Sequence, residues 1–414
     1  MATRTTTVND MSIDDLLERA AELKGELVAF AQGPRFARRL DAVLFEAAED
    51  DGFLDEGTTI QVMDYFMLQR RLSDGPTVLE RFVGQRRPPL ADHEREMLLG
   101  WHDVVESCFE VRRFDGDAVL LHNLIDDLVY RVYSNMGRTG FATVRVGMFV
   151  VGRIVPLHPA TDVWMVTGAY TPYPKSARRQ LAEAAAHQLT THPELLRRNP
   201  AVLQKAREIQ AAHRADFIDQ VGADITVLPP LEAQETLREH FRRQRQRALA
   251  GLDAGRAAKV GPAPEPRLPE DMLAADNIAL VYDEVEGLNQ YRDFGHLDDL
   301  FANPRPARDR TNLALLREYL NDESVSPLAI RRLVQRHPDG ADPVFRALLR
   351  KPGFTWAQDG EKLLRRHKKA FFDREPTPSV SAVGERLAEL LRAAGQRTRA
   401  GIRWPAGLTV LSRR

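Results

Sequence analysis

Residues 109–170 read FEVRRFDGDAVLLHNLIDDLVYRVYSNMGRTGFATVRVGMFVVGRIVPLHPATDVWMVTGAY, and this stretch decides the fold. Its apolar residues step by two: Phe109/Val111, Val119/Leu121, Leu128/Tyr130/Val132, Met148/Val150/Gly152/Ile154 and Val163/Met165/Thr167. A period of two marks strands with one buried face. Asp115-Gly116, Gly137 to Gly140 and His158-Pro159 punctuate the run, so it predicts about five short antiparallel strands. Strands this short and numerous fit a small SH3-like or OB-like barrel, which closes its own edges. A curled sheet lying on the flanking helices is the alternative.

Outside this stretch the period is helical. Ser12 with Asp15 forms a capping-box start, followed by Leu16, Leu17, Ala20, Leu23 and Leu27 at helical spacing. Gly33-Pro34 ends that helix, a second spans about Arg35 to Asp50, Gly57-Thr58 opens a third, and Asp92 is placed to cap a fourth. Helix returns at Pro174-Lys175-Ser176, and Asn199-Pro200 combines an N-cap with proline at the first helical position. A further helix spans Leu231 to Leu252. Prolines at 262, 264, 266 and 269 cannot continue helix or central strand, so 260–269 reads as an extended linker.

The expected organisation is α+β and predominantly helical. An N-terminal helical region (11–106) precedes a β insert (107–173), and a helical region (174–259) packs with the first. After the linker follow a helical unit (270–395) and a basic tail (396–414).

Composition narrows the function classes. Lysine plus arginine number 58 against 59 acids, so the total charge points to neither a nucleic-acid nor a membrane partner, although local patches can differ. A single cysteine, Cys108, rules out an intramolecular disulfide and a cysteine-based zinc cage. The polar, threonine-rich start has no signal-like apolar core, and no apolar run reaches the ~18 residues of a membrane span. These features lead us to expect a cytoplasmic protein.

The strongest candidate for binding is the loop Ser134-Asn135-Met136-Gly137-Arg138-Thr139-Gly140-Phe141. Its glycines let backbone N–H groups converge on an anion, and Arg138 supplies charge. Arg131, Tyr133, Asn135, Thr139 and Arg145 are placed to assist. Gly137-Arg138-Thr139-Gly140 spells the GxxG with which KH domains clamp a nucleic-acid backbone. In that fold the loop joins two helices, whereas here strands flank it, and a plain hairpin loop competes with the binding reading.

A second candidate is the cluster Arg242, Arg243, Arg245 and Arg247. Residues 231 to 260 hold seven cations and four acids, with acids early and bases late. A helix matched to its own dipole gives that order as readily as a phosphate-tracking stripe does. Arg365 to Lys369 with Phe371-Phe372 repeats the ambiguity between packing and base stacking. A helix-turn-helix over Pro327 to Arg350 is disfavoured by a connection, His337 to Asp342, longer than the motif's turn.

Metal and catalytic motifs are sparse. His187 and His192 are five apart, Glu183/His187 is one pair, His93-Glu94 lacks a second histidine, and Glu49 to Gly52 lacks EF-hand spacing. No nucleophile elbow, Walker loop or dinucleotide fingerprint occurs, so neither a cofactor nor a metal is expected. Cys108 has His102 nearby but no orienting third group. It reads better as a buried structural thiol at the join of helix and sheet.

A pattern of short motifs adds a resemblance. Asp64-Tyr65-Phe66, Asp74-Gly75-Pro76-Thr77-Val78-Leu79, Leu98 to Trp101 and Ser107-Cys108-Phe109-Glu110-Val111 come first. Gly147-Met148-Phe149 and Arg153-Ile154-Val155-Pro156 lie among the strands, with Glu286-Gly287-Leu288 and Tyr291 to Phe294 further on. The order resembles uncharacterised bacterial helical proteins with a central β insert, some of which carry a C-terminal SEC-C zinc motif. The lone Cys108 cannot supply that motif. The resemblance implies the architecture and no activity.

The sequence therefore predicts a non-catalytic binding or adaptor protein that engages an anionic partner, RNA among the candidates, through the insert loop and the basic helix. The alternatives are a protein–protein scaffold using the short C-terminal helices and an enzyme with a carboxylate- or Cys108-based site.

Overall fold

The computed structural model describes residues 11–48, 54–250, 266–304 and 310–394. The chain divides into two compact units, one running to Val202 and resuming at Val383, the other spanning Leu203–Ala382. Five helices open the first unit: α1 (Ile13–Ala31), α2 (Ala37–Ala48), α3 (Glu56–Leu68), α4 (Val78–Gln85) and α5 (Asp92–Gly100). Their starts are chemically encoded. The Ser12 hydroxyl accepts from the Asp15 N–H, and the Asp15 carboxylate accepts from the Ser12 N–H. Thr77 and Glu80 form the same reciprocal pair at α4, a helix the periodicity did not reveal. Asp92, expected as a cap, is the first residue of α5, and Glu94 instead accepts from the Ala91 N–H.

The helices bury Leu16, Leu23 and Leu27 of α1, Phe66 of α3 and Leu79 of α4 together with Val155 and Met165 of the sheet and Leu157 just after β4. Helical layer and sheet thus share one core. The sheet comprises β1 (Val105–Asp115), β2 (Ala118–Asn123), β3 (Val129–Tyr133), β4 (Phe149–Pro156) and β5 (Val163–Tyr173). Pairing runs β1-β2-β3-β5-β4 and returns to β1, so the sheet closes on itself. Phe109, Val119, Leu121, Val132 and Ile154 belong to the cluster it encloses.

This corrects the all-antiparallel expectation. β3 and β5 are parallel, with Arg131, Val132 and Tyr133 opposite Val163, Trp164 and Met165. Parallel neighbours need a long crossover, and residues 134–162, which include β4, provide one. The glycine-rich segment is consequently no hairpin loop. It joins β3 to β4, which are not neighbours, and Gly137–Phe141 winds into a 3-10 turn.

Beyond the sheet come α6 (Arg178–Thr191) and α7 (Pro200–Val221). Asn199 caps α7 as expected, accepting from the Ala201 and Val202 N–H groups. The division of the chain falls after Val202, so the described residues 203–250 group with the C-terminal unit, whereas the sequence reading placed 174–259 with the N-terminal region. Of the expected linker 260–269, residues 260–265 lie outside the described residues. Within 266–269, Leu268 is buried and its N–H donates to Gln234. The basic tail 396–414 and the Glu49 to Gly52 turn also lie outside the described residues.

The second unit is not purely helical. β6 (Ile225–Leu228), α8 (Pro230–Ala250), α9 (Glu270–Leu273), β7 (Ile278–Asp283) and β8 (Gly287–Arg292) form an antiparallel sheet, ordered β6-β7-β8, with its helices. Ile278, Leu280 and Tyr282 face a cluster with Phe217 and Leu237, while Ala279 and Val281 face the cluster of Phe294, Phe301 and Phe345. Both faces of β7 are buried, so its sequence is a continuous apolar run that period alone cannot tell from helix.

The remaining helices are α10 (Phe294–Ala302), α11 (Arg310–Asn321), α12 (Pro327–Arg336), α13 (Pro338–Leu349), α14 (Trp356–His367) and α15 (Lys369–Phe372). Only His337 separates α12 from α13, because Pro338 starts the second helix and Pro343 is tolerated inside it.

α16 (Glu385–Ala394) returns to the first unit. Asp127, in the β2–β3 turn at φ 60°, accepts from the Glu385 and Arg386 N–H groups and caps this helix from a distant part of the chain. Arg386 grips the mostly buried Glu110 of β1 with two parallel bonds of 2.6 and 2.7 Å. Removing the cation leaves the mostly buried carboxylate with only the more exposed Arg112 as an ionic partner, so Arg386→Ala should lower the stability of the first unit by roughly 1.5–3 kcal/mol, read by urea unfolding. A loss of only a few tenths would show the pair to be a surface contact.

Candidate functional site

The crossover from Tyr133 to Phe149 places the candidate residues. Gly137 takes φ +59°, and a side chain at Gly140 would overlap the Ser134 hydroxyl. Tyr170 pins the turn by donating its hydroxyl to Gly140 O at 2.5 Å. Arg138 lies back across the β1–β2 turn, donating to Gly116 O at 2.8 Å with its guanidinium 4.9 Å from the Phe114 ring. Thr139 donates to Met136 O (2.6 Å), and Arg145 to Ala142 O (2.6 Å) and Val144 O (2.8 Å).

These side chains surround a cleft of about 430 Å³ whose walls include Phe114, Arg138, Thr139, Phe141 and Arg145. Both arginines are exposed, and among the described residues their guanidiniums meet carbonyls and a ring and no carboxylate. From Leu128 to Thr161 the sequence has no Asp or Glu but carries Arg131, Arg138, Arg145 and Arg153. That acid-free interval, and Phe114 closing β1, were signals the period-two reading passed over.

The structure does not gather every expected residue here. Arg131 pairs with Asp115 at 3.2 Å and lies 5.6 Å from the Tyr133 ring. Tyr133 and Asn135 line a separate cleft. Arg242, Arg243, Arg245 and Arg247 belong to α8 in the second unit. There Arg242 pairs with Glu235 and Glu239, Arg243 with Glu239 and Asp219, and Arg247 with Asp216. The acid-to-base order along α8 is thus realised as internal ion pairs.

Buried charge occurs elsewhere, between helices and sheet. Asp64 of α3 is 1 % exposed and accepts from Lys24 and from the Thr167 hydroxyl. Burial works to raise its carboxyl, but Lys24 and Arg153 outweigh burial and hold it below the ordinary range. Arg153, equally buried, donates to Gln61 O and to Gln69 and lies 3.5 Å from Glu106. Burial pushes Glu106 up to about 7 against the pull of Arg153, with Asp64 adding to the rise. Burial similarly pushes Asp126 up to about 6 although the Tyr130 hydroxyl donates to it at 2.5 Å.

Cys108 is buried in β1, and burial, with Glu110 adding, drives its thiol well above the usual range. A thiolate nucleophile is thereby disfavoured. Among the described residues, one group has donor atoms within 4.8 Å of one another as a metal would require: Asp276, Asp293 and His296. It is occupied internally, since His296 Nε2 meets Asp276 Oδ2 at 2.9 Å and Asp293 accepts from the Asp276 N–H. No described helix is long and apolar enough to cross a membrane.

No protein-family model, curated protein or solved structure matches this chain.

Two outcomes follow from the buried groups. Glu106 ionises near 4.5 when unfolded and near 7 when folded, so it costs stability as pH climbs through that window and is level above it. Glu106→Gln should therefore stabilise the protein at pH 8 and flatten this loss in unfolding curves, and an unchanged pH profile would refute the assignment. Cys108 should resist an aromatic disulfide reagent in the native protein and react fully once the chain is unfolded, and rapid native labelling would contradict its burial.

Proposed function

We propose that this chain is a non-catalytic binding protein whose closed sheet is an OB-type barrel that engages single-stranded nucleic acid, RNA first among the candidates. The carrying observation is the cleft lined by the exposed Arg138 and Arg145 and the half-buried Phe114, with the buried Phe141 also in its wall. Proteins that hold single strands combine cations along the backbone with aromatic faces for the bases. The order β1-β2-β3-β5-β4, with a helical turn between the third and fourth strands, supports the OB reading. That fold binds oligonucleotides and oligosaccharides on its second and third strands and adjoining loops.

Charge favours the nucleic acid over the sugar. Arg113, next to Phe114 in β1, is exposed as well, whereas Arg112 and Arg131 are exposed but paired with Glu110 and Asp115. Arg138 and Arg145 can reach a phosphate by giving up bonds to carbonyls, which water replaces at little cost. The α8 arginines would have to exchange carboxylate partners for phosphates, so α8 is secondary in this reading.

Titration of the full chain with a fluorescent oligouridine over a range of salt tests it. Each phosphate contact contributes roughly 0.7 to the slope of log affinity against log salt for a single strand. Arg138→Ala and Arg145→Ala should each weaken binding and shallow that slope by about this amount. Binding that ignores salt, or that both variants leave intact, would rule the cleft out.

A further inference from the structure

The sequence that follows α16 carries charge that the cleft reading leaves unused. Residues 395–414 read GQRTRAGIRWPAGLTVLSRR, with Arg397, Arg399, Arg403, Arg413 and Arg414 and no Asp or Glu. They lie outside the described residues, but their point of attachment lies within them. From Val383 onward the chain groups with the unit that carries the closed sheet. Asp127 caps the start of α16, Arg386 grips Glu110 of β1, and Leu387 and Leu390 are buried. The arginine-bearing segment is thus joined to the same unit as the cleft of Arg138 and Arg145.

Two features set this charge apart from that of α8. There the arginines answer acids of α7 and α8, whereas 395–414 holds no acid with which to pair internally. A helix dipole accounts for a cation in the last turn, as Arg392 is in α16, but its effect fades within that turn and does not reach Arg397 or Arg403. Arg392 itself is exposed, donates to Ala388 O of its own helix and meets no carboxylate among the described residues. Trp404 follows Arg403 directly, so the segment joins cations to an aromatic face, the pairing by which proteins hold single strands.

We propose that residues 395–414 make a second contact on the nucleic acid bound at the Arg138 and Arg145 cleft, an inference that rests on the reading of that cleft. Arg397, Arg399 and Arg403 meet phosphates, and Trp404 stacks on a base. Twenty residues span at most about 70 Å when extended, farther than a compact unit of this size is wide, so the segment can meet a strand leaving the cleft in either direction. Joining the two contacts through α16 makes the second one intramolecular and raises the overall affinity without any change in the cleft.

The test is titration of the full chain with a fluorescent oligouridine of about twenty nucleotides over a range of salt. It compares the parent with Arg397→Gln/Arg399→Gln/Arg403→Gln and with Arg138→Ala/Arg145→Ala. The triple variant should bind roughly tenfold more weakly, with a salt slope shallower by up to about 2. Trp404→Ala should weaken binding severalfold. None of these four positions belongs to the described core, so urea midpoints should match the parent's. A triple variant with the parent's affinity and slope, while the cleft variant loses binding, overturns the second contact and leaves the cleft reading standing. Loss in the triple variant with full binding by the cleft variant overturns the shared strand and removes the cleft reading. Absence of binding by the parent overturns both.

Discussion

The parallel pairing of β3 with β5 is the constraint on which the first unit depends. It is short, Arg131 to Tyr133 against Val163 to Met165, but it closes the sheet and removes the exposed edges a curled sheet would leave. It also dictates the path of the chain. Because β3 turns away from β4, residues 134–148 must run outside the sheet, and Gly137–Phe141 becomes a 3-10 turn pinned by Tyr170. Arg138 and Arg145 are thereby set beside Phe114. Without closure they would be the tip of a hairpin.

A second set of interactions fixes the closed sheet to its helices. Lys24 of α1, Asp64 of α3, Thr167 of β5 and Arg153 of β4 meet in a nearly dry network. Such a network gains little over well-packed apolar groups, but breaking one member strands a charge. Its effect is to specify register: a slip of β4 or β5 by one residue would turn Arg153 or Thr167 to the wrong face. At the other end Asp127 and Glu110 hold α16, which ties the end of the described chain to the sheet.

Much of this was legible in the sequence where local chemistry decides. The strands of the insert follow from period two, and the starts of α1 and α7 follow from Ser12 with Asp15 and from Asn199-Pro200. Thr77-Val78-Leu79-Glu80 encoded α4 just as clearly, and only its shortness hid it. What could not be read was long-range. Nothing in the residues of β3 names β5 as its partner, and β7, buried on both faces, carries no alternation to betray a strand. The site followed the same rule. The charge of Arg138 and Arg145 was visible, whereas the internal pairing of Arg242, Arg243 and Arg247 depended on Asp216 and Asp219 of α7 and on acids of α8 itself.

The crossover therefore brings Arg138, Arg145 and Phe141 to the cleft that Phe114 also lines. The most direct measurement is photo-crosslinking of the full chain to a thiouridine-substituted oligonucleotide, with the adducts mapped by mass spectrometry. The account predicts adducts on Phe114 and on exposed residues of the crossover. Adducts confined to α8, or none in the first unit, would contradict it.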